Sequence, residues 1–469
     1  MIGAKGLGFG AALLLLAAPL GGAAWAADVP SAAAASAKGP APEEMDVGCE
    51  DSIAPKLGRL GDPTGLRQAL AKKGVSLCVT YTGEVMGNVS GGLRRGALYE
   101  DKFEFDLDVD LDKLAGWPGA SIHVSGLQID GNGLSGHNLG NLLTVSNIEA
   151  PVSSRLFELW FQQTFFNDKF ELRVGQLAAD STFAVSDYAG LFMNATFGFP
   201  ALLGADLPNG GPAYPFATPG VQATIKPFEN FSLTAAIFNG DAIGPKGNCC
   251  GVNFRTQDPP LYMAEAKYSY KLGSGDAALP GAVHLGGWYH AGNFGDMRFD
   301  NTGLSLANPA STGIPARHQG DGGVYAMIDQ MIYKVPGTDD HGLGAFLRIA
   351  GAPENTNFID FYVDGGFTYK GLILGRGDDT IGLAMAFANV SGAISGLDRD
   401  TRVFTGVNVP IHDYEAAVEL TYQFQVMPGW SIQPDFQYIF HPGGHTAGRI
   451  ATRPIQDAAV FGLRTVIKY

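Results

Sequence analysis

Four carboxylates occupy alternate positions in one short stretch: Glu104, Asp106, Asp108 and Asp110. Paired carboxylates can cleave a glycosidic bond, one as acid and the other as base or nucleophile. Here the acids form a row, and nothing else in the chain completes an enzyme. No Gly-x-Ser-x-Gly turn offers a nucleophile, and no glycine-rich phosphate loop joins a strand to a helix. A row of acids equally suits the wall of a water-filled channel, where side chains exchange hydrogen bonds with a passing solute and hold it only weakly. Further candidates for such a wall are Trp160, Arg173, Trp288, Arg348, Glu419, Gln437 and Arg464, together with Glu158, Gln162, Glu265, Lys267, His284, Gln433 and Asp435. Trp160 and Trp288 either offer a flat apolar face to a passing solute or, with the strand phase shifted by one, sit in an outer aromatic girdle. Like charges at this density need counter-charges, and Arg173 and Arg464 are the expected partners.

The bulk composition limits the classes that remain. Acidic residues outnumber basic ones by 46 to 31, which argues against nucleic acid as a partner. The nine histidines show no spacing that converges on the four cysteines, so neither a metal site nor a cofactor is expected. Cys49 and Cys78 can pair in an oxidising compartment. Cys249 and Cys250 stand side by side in a Gly/Asn/Pro-rich stretch, as a loop staple or with no particular role. Charged residues are only 16% of the chain, whereas about a quarter is usual for a soluble domain. A protein whose outer wall faces lipid does not need that charge.

Period-two patterning must position these residues. Phe103, Phe105, Leu107, Val109 and Leu111 alternate with the four acids, which assigns a strand; a helix would scatter the carboxylates around its circumference. Alternation returns at Val418–Val426, at 432–440 and at 461–469, with weaker versions at 157–164, 170–175, 221–226, 231–238, 261–270, 283–290, 324–333, 343–349, 358–370 and 381–389. Between them glycine and turn dipeptides are expected to stop every helix before three turns. The apolar faces carry aromatics and leucine while the opposite faces carry acids, amides and small residues. That inversion fits lipid outside and water inside, and in lipid the sheet must close on itself. At roughly 20–28 residues per strand with its connection, residues 75–469 allow about 14 to 18 strands, and barrels of about 16–18 leave an aqueous channel. Long connections at 130–147, 204–220, 240–260 and 293–322 belong outside the cell, and some can fold inward.

The N-terminus reads as export. Residues 1–27 combine Lys5, an apolar run and Ala24-Trp25-Ala26, the pattern of a cleaved signal peptide. Residues 28–48 form an Ala/Ser/Pro linker, and 49–74 an N-terminal periplasmic segment with a short helix at 63–73, placed either as a lid or against the barrel's end. No later stretch holds eighteen uncharged apolar residues.

Several ordered blocks resemble the carbohydrate-selective porins of the OprB type. They are Tyr81-Thr82-Gly83-Glu84 with Gly87–Gly92, Arg173–Leu177 running on through Phe183–Phe192, Tyr214–Gly220, Gln433–Ile439 followed by His441-Pro442-Gly443-Gly444, and Phe461–Thr465. The likeness extends from about Cys49 to Tyr469. It implies a 16-stranded transmembrane antiparallel barrel with a short N-terminal helix, placed in a Gram-negative outer membrane by the barrel assembly machinery, in contact with outer-membrane lipids. It also implies passive diffusion of glucose and other small carbohydrates. The terminal Tyr469 departs from the commoner Phe but keeps an outward aromatic, and Cys249-Cys250 has no counterpart role. A general pore without sugar preference and a non-transporting structural barrel are the alternatives. A homo-oligomer is open, since no row of outward residues stands out as an interface.

Overall fold

A computed structural model describes residues 49, 51–245 and 247–469; the expected signal peptide and linker lie outside the described residues. Sixteen strands form one closed barrel: β1 (Val75–Ser90), β2 (Gly96–Asp110), β3 (Ala120–Gly131), β4 (Ser153–Phe165), β5 (Phe170–Leu177), β6 (Thr218–Phe228), β7 (Phe231–Asn239), β8 (Pro260–Leu272), β9 (Leu279–Asp300), β10 (Pro315–Lys334), β11 (Gly342–Gly351), β12 (Ile359–Lys370), β13 (Thr380–Val390), β14 (Tyr414–Met427), β15 (Trp430–Phe440) and β16 (Ala458–Lys468). Each pairs antiparallel with its neighbours in sequence, and β1 closes on β16 with Glu84 opposite Arg464. Closure leaves no unpaired edge, the condition a sheet must meet in hydrocarbon.

Alternation decides which face each residue takes. Tyr99, Phe103, Phe105, Val174, Ile237, Leu285, Leu347, Phe367, Leu383, Phe461 and Leu463 are exposed on the outer face. An apolar belt of this extent would drive aggregation in water; in a bilayer it is the lipid surface. Aromatic pairs gather where strands meet the short turns: Phe165 with Phe170, Tyr268 with Tyr270, and Tyr333 with Tyr369. They mark one interfacial girdle. Tyr469 exchanges backbone hydrogen bonds with Val79, continuing the β1–β16 seam to the last residue.

Several expectations need correction. The helix at 63–73 is shorter, Leu66–Ala71, with Asp62 accepting from the Gln68 amide. It packs at the barrel's end: Arg67 donates to the Leu77 carbonyl and lies over the Tyr469 ring. Cys49 and Cys78 are disulfide-bonded, which ties this segment to β1. The loop expected at 293–322 shrinks to 301–314, because β9 and β10 run on as a 22- and 20-residue hairpin. About 9–11 residues suffice to cross a bilayer, so this hairpin stands well beyond it. A 14-residue helix, Gly392–Thr405, does complete three turns; Ser391 opens it and Gly406, in the left-handed region, closes it. Asp110 leaves the acid row. Its carboxylate caps a short helix, Leu111–Ala115, by accepting from the Asp112 and Lys113 amides.

Much of the interior is taken up by two connections that carry only short helical turns, among them Ser135–Leu139, Ala195–Gly198 and Ala201–Asp206. Residues 132–152 and 178–217, the connections after β3 and β5, turn into the barrel and supply Leu139, Leu143, Val145, Phe183, Phe192, Met193, Phe197 and Leu203 to one buried cluster. Strand glycines make the room. A Cβ at Gly344 would meet the Tyr188 ring at 1.9 Å, and one at Gly382 would meet Leu191 at 2.6 Å.

Candidate functional site

The inward loops divide the wall into two halves. Along β8 to β15 they press against the inner face and bury it. Along β2 to β5 the inner face is buried at Glu100, Ser125 and Glu158, where Glu158 accepts from the Ala178 amide, but stays half-exposed at Glu104, Asp106, His123, Trp160 and Arg173. The sequence candidates separate along this line.

On the covered half, polar side chains anchor the loops. Arg348 is wholly buried; it pairs with Asp364 and donates to the carbonyls of Ala184 (2.6 Å), Thr196 (2.8 Å) and Phe197 (3.1 Å). Glu419, also buried, accepts from the backbone amides of Met193 (2.6 Å) and Asn194 (2.9 Å). Gln437 donates to the Val145 carbonyl and accepts from Asn194. Glu415, Glu265 and Asp329, among them two residues sequence reasoning did not single out, do the same for Leu142 and Leu143, for Ala184, and for Ser186 and Asp187. Trp288 faces inward but is packed in the hydrophobic cluster. Arg464 is nine-tenths buried against Glu84, at 2.6 Å. A solute in the lumen therefore meets none of Trp288, Arg348, Glu419 or Gln437 in this structure.

On the open half the residues form a continuous strip. Glu104 lies 2.7 Å from Lys102, and Asp108 lies 2.7 Å from His123, whose other nitrogen is 4.0 Å from Asp106. The row's partners are thus Lys102 on its own strand and His123 next door, rather than Arg173 and Arg464. Arg173 instead serves Glu171 at 3.6 Å and Gln162 at 2.8 Å. Trp160 stands between them on β4. The His123 ring stacks on it at 4.9 Å from the β3 side, and the Arg173 guanidinium sits 4.1 Å over it from the β5 side. Carboxylate acceptors and cationic or amide donors alternate around one aromatic surface, a set able to trade hydrogen bonds with a polyhydroxylated solute.

Loop residues add a titratable element. Asp206 accepts from the Phe358 and Ile359 amides, while its second oxygen is buried with no protein partner. Desolvation pushes its carboxyl up to about 8.

A closed 16-stranded barrel with an apolar outer belt, a polar inner strip and loops narrowing its lumen defines an outer-membrane diffusion channel, a transport protein and not an enzyme. Residues 94–469 match the family model described as carbohydrate-selective porin, OprB family. The chain belongs to that family. It is similar to Porin B of Pseudomonas aeruginosa, 25% identical over 406 residues, covering 82% of this chain and 87% of the relative. Among solved structures it is similar to the high-pH structure of Pseudomonas putida OprB, with a TM-score of 0.79 and 23% identity over 87% of this chain and 97% of that one. The low-pH structure of the same protein gives a TM-score of 0.54 at 18% identity over 90% and 99% of the two chains.

Proposed function

We propose that small neutral sugars pass along the β2–β5 strip, with Glu104, Asp106, Asp108 and Arg173 as exchanging hydrogen-bond partners and Trp160, whose two faces His123 and Arg173 cover, as the platform that orients them. The carrying observation is the His123–Trp160–Arg173 stack flanked by the acid row on the half of the lumen the loops leave open. The family's name supports a carbohydrate as the solute. Neighbouring donors and acceptors spaced along a wall favour passage over capture, since a solute released by one is held by the next. On the same reading, the barrel assembly machinery inserts the chain into the outer membrane.

Liposome swelling with the purified folded protein tests this, using a monosaccharide series against amino acids and salts of equal size. Sugar entry faster than size alone allows is expected, and Trp160→Ala should lower it severalfold while salt conductance holds. Equal rates for all solutes, or an indifferent Trp160→Ala, would reduce the channel to an unselective pore.

A further inference from the structure

Far from the sugar strip, the long-loop end of the barrel holds a second cluster of chemistry. Asp413 immediately precedes β14, and His441 and His445 flank the turn that follows β15. Nδ1 of His441 lies 3.0 Å from one oxygen of Asp413, and Nδ1 of His445 lies 3.2 Å from the other. The two imidazoles stack at 4.3 Å, and one ligand atom from each residue lies within 4.8 Å of the others. Donors bound to one ion at about 2.1 Å sit about 3.0–3.4 Å from each other, so these side chains need only small rotations to share one.

The backbone holds them there. His441 and His445 both adopt the left-handed region, at φ 49° and 69°, which L residues rarely take. Hydrogen bonds fix that conformation: His441 N donates to Asp457 Oδ1, His445 N to the His441 carbonyl, and Asp413 N to the Gly444 carbonyl. Buried Glu415 accepts from Gly443 N at 2.6 Å. Asp413 and His445 also line a cavity of about 810 Å³ between the loops at 352–358, 391–413 and 441–457, which gives an ion a path and space for water ligands. Elsewhere on that cavity Glu354 and Asp360 balance Arg399 and Arg402, so its wall does not repel a cation.

We propose that Asp413, His441 and His445 bind a divalent transition-metal ion, with zinc as the reference case. Two imidazoles and one carboxylate select borderline ions such as Zn²⁺, Cu²⁺ or Ni²⁺; Ca²⁺ and Mg²⁺ prefer all-oxygen sites. The sequence hides the site because its carboxylate and its histidines come from different loops, and because no cysteine takes part.

Calorimetric titration of the full, detergent-folded chain with zinc chloride is the test. Cys249 and Cys250 are exposed thiols and would bind zinc themselves, so both are first replaced by serine. One zinc per chain is expected. Asp413→Asn and His445→Asn should each weaken it at least about tenfold, with folding confirmed by the heat-dependent shift in gel mobility. Asparagine tolerates the left-handed backbone at 445, so the turn survives that change. Copper(II) as a second probe should show two nitrogen ligands by electron paramagnetic resonance, and one fewer in His445→Asn. No zinc uptake at micromolar concentration, or equal uptake by folded His445→Asn, overturns the proposal, as does a copper spectrum that His445→Asn leaves unchanged.

Discussion

Replacing Arg348 by alanine separates the barrel wall from the loop it holds. The guanidinium has no exposed surface and neither does the Asp364 carboxylate it pairs with. It also reaches three carbonyls of the 178–217 loop, at Ala184, Thr196 and Phe197. Alanine leaves Asp364 with only the Tyr362 hydroxyl, at 2.7 Å, and strips the loop of all three bonds. Breaking a buried ion pair from one side costs about 3–5 kcal/mol. At about 1.4 kcal/mol per tenfold, the docked loop loses between about two and nearly four orders of magnitude in its equilibrium with an undocked one. The strand ladders do not depend on Arg348, so the loss should fall on docking and not on the barrel. Single-channel recordings should then show larger or noisier conductance, and liposome swelling a higher size cut-off. Should Arg348→Ala fail to fold, the double variant Arg348→Met with Asp364→Leu removes both charges at smaller cost, yet still takes the guanidinium away from the three carbonyls. A folded variant of either kind with wild-type conductance and cut-off would refute the anchoring argument.

Two other outcomes follow from the site. Neutralising the open row with Glu104→Gln, Asp106→Asn and Asp108→Asn should reduce preference for potassium over chloride in reversal-potential measurements. The difference should be largest at low ionic strength, because these side chains keep 25%, 23% and 56% of their surface exposed and are screened by salt; unchanged selectivity at low salt would remove them from the ion path. Asp206 is raised to about 8 by burial, above its unfolded value of about 3.9, so its contribution favours the folded loop at low pH and is lost as pH rises between those values. Hydrogen exchange at 201–217 should therefore quicken, after correction for intrinsic rates, between pH 5 and 8 in the native chain and not in Asp206→Asn; equal behaviour of the two would dismiss Asp206 as the cause.

Period two made the wall legible. The phase of Phe103–Val109 against the acids, and of Phe461 and Leu463 against Arg464, is the phase in the structure, because one lipid face and one wet face leave strand residues no other choice. What alternation cannot show is whether an inward polar residue meets water or another part of the chain. Glu104 and Glu419 read alike in sequence. Glu419 is covered only because Met193 and Asn194, more than 220 positions earlier, come to rest on it. Length marks the long connections that can fold inward, but not which of them do: their hydrophobic residues keep no sustained period, since they pack as short helical turns joined by irregular chain. Helix boundaries are written in the sequence as well. Asp110 with Gly116 brackets a helix at Leu111–Ala115, and Ser391 with Gly406 brackets the helix at Gly392–Thr405.

The loop anchors also impose an order of events. Every strong grip on residues 178–217 described above, from Glu265 and Asp329 to Arg348, Glu419 and Gln437, is made by chain synthesised later. Such distant contacts require the intervening loop of chain to be closed first, an entropic cost met only when the later strands are in place. The constriction must therefore be among the last features to form. A barrel arrested before β14 and β15 join would hold an undocked, apolar loop and a wide lumen, which makes final closure the step that turns a hole into a filter.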